Sequence, residues 1–339
     1  MLKTTAAILW LLAAPALLYA QLGGESAYSF LRINPSAKSA ALGGVAVAPM
    51  HNDVAMAAQN PALLDSTMHR RVSLTYLGYL AGISYGSLAA AWHRSDIGTL
   101  GISLVSLSYG SFSNTDETGE RFGNFNVNEF AAGLLYSRSV WYGVTLGAEL
   151  NTIISQLERY NSRGMALNIG ARYQSPDRLL NATLTFKNIG FQLTPYAEGK
   201  RGKLPFEVQL AVAKKFEKAP FGISFSLNDL QSLSVYNSTE EQYRSFDGSV
   251  QAKSALSKIG SELMSHVAVG VQVIPSKYFF AMGGYNFRRR NELKVGEYSG
   301  AIGFSFGFGV RLKYFELSYG RAVYQSGQGG NHIGLIVKL

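Results

Sequence analysis

The chain has 339 residues, a formal net charge of +9 at pH 7 and no cysteine, which excludes a disulfide scaffold and a thiolate metal site. Charged residues make up only 16% of it, against roughly a quarter in soluble proteins. Its 36 glycines and 12% aromatic residues are typical of a membrane β-barrel. No basic helix or RNA-type aromatic motif accompanies the positive charge. We therefore expect a polyanionic surface such as lipopolysaccharide as a partner, and no nucleic acid.

The N-terminus has the pattern of a secretory signal peptide, which we predict to cover residues 1–20. Lys3 precedes an apolar run over residues 6–18, and Leu18-Tyr19-Ala20 is a suitable cleavage signal before Gln21. An anchoring helix is the alternative, but the run is shorter than the ~20 residues that a span needs. Export, together with amphipathic strands and no further long apolar run, indicates the outer membrane of a Gram-negative cell.

Residues 21–70 do not alternate, and we interpret them as a small helical plug. Residues 36–42 can form two helical turns that Gly43-Gly44 stops. Asp53 can cap a second helix over 54–59, which Asn60-Pro61 ends, and another short turn follows. Helices this short need a container because they are unstable alone in water. A barrel lumen is one container, and a periplasmic tail folded under the barrel is the alternative.

Residues 71–339 are predicted to form the barrel, and the stretch 299–311 shows why. One alternating set is bulky and apolar, comprising Ile302, Phe304, Phe306, Phe308 and Val310. The other set is small, comprising Ala301, Gly303, Ser305, Gly307 and Gly309. Only a strand has a period of two, so only a strand separates these sets. We expect lipid on the Phe side and a filled lumen on the Gly side.

Similar alternating segments recur along the chain and give about fourteen strands, an even number typical of outer-membrane barrels. The predicted fold class is therefore all-β, a transmembrane antiparallel β-barrel with a small helical N-terminal plug. In residues 100–109 the apolar face shifts from Leu100, Ile102 and Leu104 to Val105 and Leu107. This phase change predicts a bulge, which could mark a side opening.

Long and short loops alternate along the chain. Apart from the first hairpin, the odd-numbered connections are the longer ones, including 110–124, 196–204, 231–266, 288–297 and 324–330. Outer-membrane barrels have short periplasmic turns and long outer loops. We therefore expect periplasmic termini and extracellular long loops. A helix within residues 247–264 is predicted to rest on the barrel rim.

Charged residues also occur on the predicted lumen face, namely Glu149, Arg172, Lys187, Glu207 and Glu316. If the hairpin around 157–164 is symmetric, Glu149 lies opposite Arg172 and the two form a lumen ion pair. None of the five histidines has metal-ligand spacing, so we expect no enzyme activity, no metal and no cofactor. Each histidine is interpreted as a loop or interface residue.

Basic residues cluster in two predicted outer loops. Arg288, Arg289, Arg290 and Lys294 lie in one loop, and Lys200, Arg201 and Lys203 lie in another. Solvated loops with positive ends explain both clusters. The functional alternative is a docking patch for lipopolysaccharide or a surface partner, with Arg288, Arg289, Arg290, Lys294, Lys200 and Arg201 as candidate contacts.

Several motifs carry a family resemblance. Asp53 and Asn60-Pro61-Ala62-Leu63, with the small-residue plug and the following strands, resemble the FadL-like barrel superfamily. A second set of segments is similar to the PorQ family within it: residues 25–31, 35–37, 41–44, 79–86, 284–290, 292–294, 305–309 and 331–332. The second resemblance covers nearly all of the mature chain.

The PorQ family implies a non-enzymatic outer-membrane component of the type IX secretion system. Its expected partner is a PorZ-like surface protein, with PorU and PorV in the same attachment complex, and the complex attaches cargo to lipopolysaccharide. The loops 231–266 and 288–297 are the candidate binding surfaces. The alternative is a FadL-like transporter of small hydrophobic molecules.

Overall fold

The computed structural model describes residues 26–45, 53–116, 118–197, 201–232, 255–293, 300–325 and 328–339. The predicted signal peptide and its cleavage site lie outside these residues. The described part forms a closed barrel in which every strand pairs antiparallel with its sequence neighbours and β1 closes on β14. Its fourteen strands are β1 Arg71–Gly78, β2 Ser84–Arg94, β3 Gly98–Thr115, β4 Arg121–Trp141, β5 Val144–Leu157, β6 Tyr160–Gln174, β7 Leu180–Thr194, β8 Glu207–Lys215, β9 Phe221–Leu227, β10 Val267–Val273, β11 Phe279–Asn286, β12 Phe304–Arg311, β13 Phe315–Gln325 and β14 Gln328–Lys338. The predicted fold class is confirmed.

The outward face of the barrel is apolar, as the alternation predicts. Phe304, Phe306 and Phe308 are 49–52% exposed, whereas Ser305 between them is 3% exposed. An apolar face of this kind is stable in hydrocarbon, and closure satisfies the strand backbones there. Among the described residues, no helix is both long enough and apolar enough to span a bilayer.

Two local predictions about strands are wrong. β12 begins at Phe304, because a turn with Gly303 at φ +92° precedes it and buries Ile302 to 3% exposure. Residues 99–108 of β3 pair in unbroken register with both neighbours, so no bulge lies at the predicted phase change, and the register with β4 shifts only farther on, between Ser108 and Ser111. The apolar face only seems to shift, because Leu107 points inward and is 2% exposed.

The plug consists of short helical segments packed against the inside of the wall. These are the helices α1 Ala37–Ala41 and α2 Val54–Ala57 and the 3₁₀ turns Ser29–Arg32, Pro61–Leu63 and Ser66–Met68. α1 packs on β11–β14, and the Pro61–Leu63 turn packs on β4, β5 and β6. The plug thus reaches opposite sides of the lumen.

The predicted caps of the plug are present. The Asp53 carboxylate accepts a hydrogen bond from the Ala55 N–H, and Asn60 accepts one from the Ala62 N–H with Pro61 in the first turn. Gly43 and Gly44 have φ +80° and +92°, the left-handed backbone that ends α1. These caps satisfy helix N–H groups that the lumen shields from water.

Wall glycines make room for the plug backbone. A Cβ atom at Gly147 would lie 2.3 Å from the Pro61 carbonyl carbon, and one at Gly284 would lie 2.2 Å from the Leu42 carbonyl carbon. A Cβ at Gly320 would lie 2.3 Å from the Ala37 carbonyl oxygen. The small face of the strands therefore touches the plug backbone directly.

The barrel has two unlike ends. The connections 95–97, 142–143, 175–179, 216–220, 274–278 and 312–314 form the turn end, and the long connections 195–206, 228–266 and 287–303 lie at the loop end. Strands β3–β7 have 14–21 residues, whereas β8–β12 have 7–9. Helices α3 Ala255–Ser265 and α4 Phe287–Leu293 lie above the short strands and contact each other. The predicted rim helix is confirmed for 255–265, while 247–254 lies outside the described residues.

Replacing Gly284 with alanine should destabilise the barrel by about 1–3 kcal/mol, because the added methyl would overlap the Leu42 backbone. The neighbouring Gly283→Ala is a matched control, since a Cβ there meets no atom within 4 Å. Thermal unfolding in detergent micelles measures the difference. Equal stability of the two variants would contradict the direct contact between plug and wall.

Phe306→Arg should cost about 2–4 kcal/mol of barrel stability, because it places a charge on the middle of the lipid-facing surface. Tyr314→Arg is the control, since this 61% exposed residue lies in the 312–314 connection, where a charge costs about 0–1 kcal/mol. Urea unfolding in lipid vesicles provides the comparison. Similar costs at both positions would argue against a hydrocarbon belt around β12.

Candidate functional site at the mouth of the barrel

A cavity of about 500 Å³ opens at the loop end above the plug, and we call it the mouth. The plug supplies its floor through Phe30, Ile33, Asn34, Gly44 and Gln59. The walls are the inward faces of the strand ends and of α4. The wall residues are Tyr79, Ile83, Leu107, Tyr109, Lys187, Glu207, Gln209, Asn228, Asp229, Asn286, Arg288, Arg289, Glu292, Leu293 and Tyr324.

Asp229 is the centre of an ion-pair network in the mouth. Arg32 of the plug donates from Nη2 to Asp229 Oδ1 at 3.1 Å, and Arg288 of α4 donates from Nη1 to Asp229 Oδ2. Arg288 also donates from Nε to Glu292 Oε1 at 2.6 Å. One carboxylate, which is 5% exposed, therefore joins the plug, the end of β9 and the rim helix α4.

The electrostatics of this network favour the ionised carboxylate. Burial alone would raise the pKa of Asp229, but the guanidinium groups of Arg288 and Arg32 hold that pKa below its ordinary value. Beside it, Lys187 Nζ lies 2.8 Å from Glu207 Oε2, and these two residues are directly paired on β7 and β8. The charges of the mouth are thus largely compensated within the protein.

The three predicted docking arginines do not form an outward patch. Arg288 lines the mouth, and Arg289 is 9% exposed, donates to Ser305 Oγ at 2.9 Å and stacks 4.8 Å from the Tyr324 ring. Arg290 is half-buried. These residues lie in the predicted long connection, but they belong to the helix α4 within it, which turns Arg288 and Arg289 toward the barrel. Arg201 is exposed, and Lys200 and Lys294 lie outside the described residues.

The predicted Glu149–Arg172 pair is wrong. The β5–β6 hairpin turns at residues 158–159, so Glu149 faces Asn168 and Arg172 faces Thr145. Glu149 accepts hydrogen bonds from Ser103 and Asn168, at 2.6 and 2.7 Å. The prediction assumed a turn centred two residues later, which would have shifted the register by four residues.

Two of the predicted lumen charges, Arg172 and Glu316, instead bind the plug. Arg172 Nη1 lies 3.0 Å from Asp65 Oδ2, and Glu316 pairs with Lys38 of α1, which is 1% exposed. Asp53 also reaches the wall, because Ser73 Oγ donates to its Oδ1 at 3.2 Å.

The prediction that every histidine lies in a loop or at an interface is wrong for His332. This residue of β14 is 1% exposed and lies inside the wall.

Sequence reasoning missed Arg32 and Asp229 as site residues. Each is a single charge within an apolar or polar segment, and they are far apart in sequence. Neither forms a motif with a recognisable spacing. The described residues contain no cluster of three or more His, Cys, Asp or Glu side chains suited to a metal ion.

No protein-family model matches the chain, and no curated protein matches it. Several solved structures do. A FadL homologue from Pseudomonas aeruginosa matches with a TM-score of 0.50 and 10% identity over 89% of this chain and 98% of its own. The chain has the fold of FadL-like outer-membrane barrels.

Two further structures with this FadL-like fold are described as monoaromatic hydrocarbon channels. CymD matches with a TM-score of 0.50 and 12% identity, over 92% of this chain and 99% of its own. A deltaS2 mutant of TodX matches with a TM-score of 0.51 and 13% identity, over 91% and 98%. At 12–13% identity, this structural similarity establishes the fold of the chain.

Asp229→Asn should destabilise the folded barrel by about 2–3 kcal/mol, because Arg32 and Arg288 would lose their shared counter-charge. Breaking a fully buried pair costs about 3–5 kcal/mol, and we discount this because the two arginine side chains keep 24–32% exposure. Asp96→Asn is the control, since Asp96 and Arg94 are 57% and 68% exposed and such pairs contribute about 0–1 kcal/mol. Thermal unfolding and proteolysis of the plug measure both changes.

The contribution of Asp229 to the stability of the folded barrel should also depend on pH. Its pKa is lower in the folded than in the unfolded chain, where it is about 3.9. The stabilisation is therefore complete at neutral pH and is lost as the pH falls below about 4. A stability difference between the native chain and Asp229→Asn that persists unchanged at pH 2.5 would contradict this assignment.

Proposed function

We propose that this chain is a non-enzymatic outer-membrane scaffold that holds a surface partner of the type IX secretion system. The observation that carries the proposal is the fixed plug. Plug backbone touches wall glycines, and ion pairs attach the plug to the wall through Asp65, Lys38 and Arg32. A barrel filled in this way is suited to present a rigid surface rather than to pass a large substrate.

The rim at the loop end supports partner binding. α3 and α4 form one unit there, since Asn291 Nδ2 donates to Ser265 Oγ at 2.8 Å. Leu263 and Met264 of α3 are 63% and 40% exposed. Apolar side chains beyond the strand ends are typical of protein-binding surfaces. The family resemblance gives a PorZ-like protein as the partner, with PorU, PorV and lipopolysaccharide in the same complex, and the loop lengths predict that this rim faces the outside of the cell.

A second candidate function is transport of small hydrophobic molecules. It is favoured by the likeness to two monoaromatic hydrocarbon channels, and the solved-structure comparisons support it better than the scaffold role. It requires a continuous apolar path through plug and wall, and in this structure Asp229 and the wall glycines hold the plug in place. The charged mouth would be an unusual entry for an apolar substrate.

Replacing Leu263 and Met264 with aspartate and serine should abolish co-purification of the PorZ-like partner in mild detergent. Leu312→Asp is the control, because this 46% exposed leucine lies at the turn end. In the same cells we expect surface attachment of cargo to fall and toluene uptake to stay unchanged. Intact cargo attachment together with lost uptake, on deletion of the gene, would overturn the scaffold role and support the channel.

A further inference from the structure

The mouth contains two kinds of surface, and together they indicate a ligand class. Tyrosine rings line one part: Tyr79 and Tyr324 are in edge contact, with ring centroids 5.0 Å apart, and Tyr109 lines the cavity with them. Hydrogen-bonding side chains line the other part, including the buried Gln209 and Asp229. Few ligand types complement both surfaces at once.

The charges of the mouth disfavour two ligand classes. An apolar molecule would have to remove water from Arg32, Arg288 and Lys187 without replacing their hydrogen bonds, which is costly. An inorganic anion would compete with Asp229 and Glu207, which lie 3.1 Å from Arg32 and 2.8 Å from Lys187. Arg289, the remaining arginine of the mouth, already donates to Ser305 Oγ and stacks on the Tyr324 ring. A neutral ligand with many hydroxyl groups avoids both costs.

The paired side chains are fixed in place and keep spare hydrogen-bonding capacity. A guanidinium has five N–H donors and a carboxylate accepts about four hydrogen bonds, so the pairs of Asp229 use only part of both sets. Within the described part of the chain, the buried Gln209 Oε1 has no hydrogen-bond partner. Burial also raises the pKa of Tyr79 to about 12, so its hydroxyl stays protonated and can donate.

We propose that the mouth is a binding site for a short oligosaccharide. The C–H face of a sugar ring would pack on Tyr79, because Arg289 already stacks on the Tyr324 ring, and the hydroxyl groups would bond to the fixed Arg32–Asp229–Arg288 network. A cavity of about 500 Å³ is in the size range of small-molecule sites. The choice of lipopolysaccharide as the sugar source rests on the proposed scaffold role, whereas binding in the mouth is measured without the secretion partner.

The test uses the full chain in nanodiscs and two probes from the host outer membrane: intact lipopolysaccharide, and the oligosaccharide released from it by mild acid. Saturation-transfer NMR should show contact from the ring C–H protons of the free oligosaccharide. Tyr79→Ala should raise the dissociation constant at least tenfold, and Tyr79→Phe, which keeps the ring, should raise it less. Tyr314→Ala at the turn end is the matched control and should bind as the native chain does.

Each result has a defined meaning. If only intact lipopolysaccharide binds but Tyr79→Ala weakens it, the sugar is recognised when the membrane presents it, and the site stands. If neither probe binds, if Tyr79→Ala binds as tightly as Tyr314→Ala, or if toluene displaces the oligosaccharide, the proposal is overturned. Resistance of the unheated variants to SDS, read from gel mobility, confirms that the variant barrels are folded. If the native chain fails to co-purify with the PorZ-like partner, the scaffold role is overturned, but the oligosaccharide site is not.

Discussion

The close approach of the plug backbone to the wall glycines is the constraint on which the structure depends. A lumen this size must be filled, because empty or half-hydrated space would leave backbone groups and charges without partners. Glycine at positions such as 147, 284 and 320 lets the plug main chain reach the wall. The plug then supplies counter-charges at Lys38 and Asp65, so that wall residues Glu316 and Arg172 can face inward.

Asp229 extends this constraint to the loop end. Because one buried carboxylate binds Arg32 of the plug and Arg288 of the rim helix, a displacement of either is opposed by the other. The uneven wall acts in the same direction: the short strands β8–β12 leave space in which α3 and α4 can pack over the rim. The mouth is consequently a charge-compensated cavity whose floor and rim are joined through Asp229.

The successes and failures of the sequence predictions have different physical origins. Outward-facing residues such as Phe306 were predictable, because lipid contacts every strand from one side and imposes a period of two. The Asp53 and Asn60 caps were predictable, because capping is a local interaction. The Glu149–Arg172 pair was not, since a hairpin turn displaced by two residues changes every cross-strand partner. The prediction that Ile302 faces lipid failed, because a turn interrupts the alternation before Phe304.

By itself, the sequence determined that the chain forms an antiparallel barrel with lipid outside, small residues inside and a capped helical plug. These properties follow from periodicity and local hydrogen bonding, which neighbouring residues specify. Only the tertiary structure decided which charges meet, that Arg288 and Arg289 turn inward, and that a cavity opens above the plug. Arg32, Asp229 and Arg288 lie far apart along the chain, and only closure of the barrel around its plug brings them together.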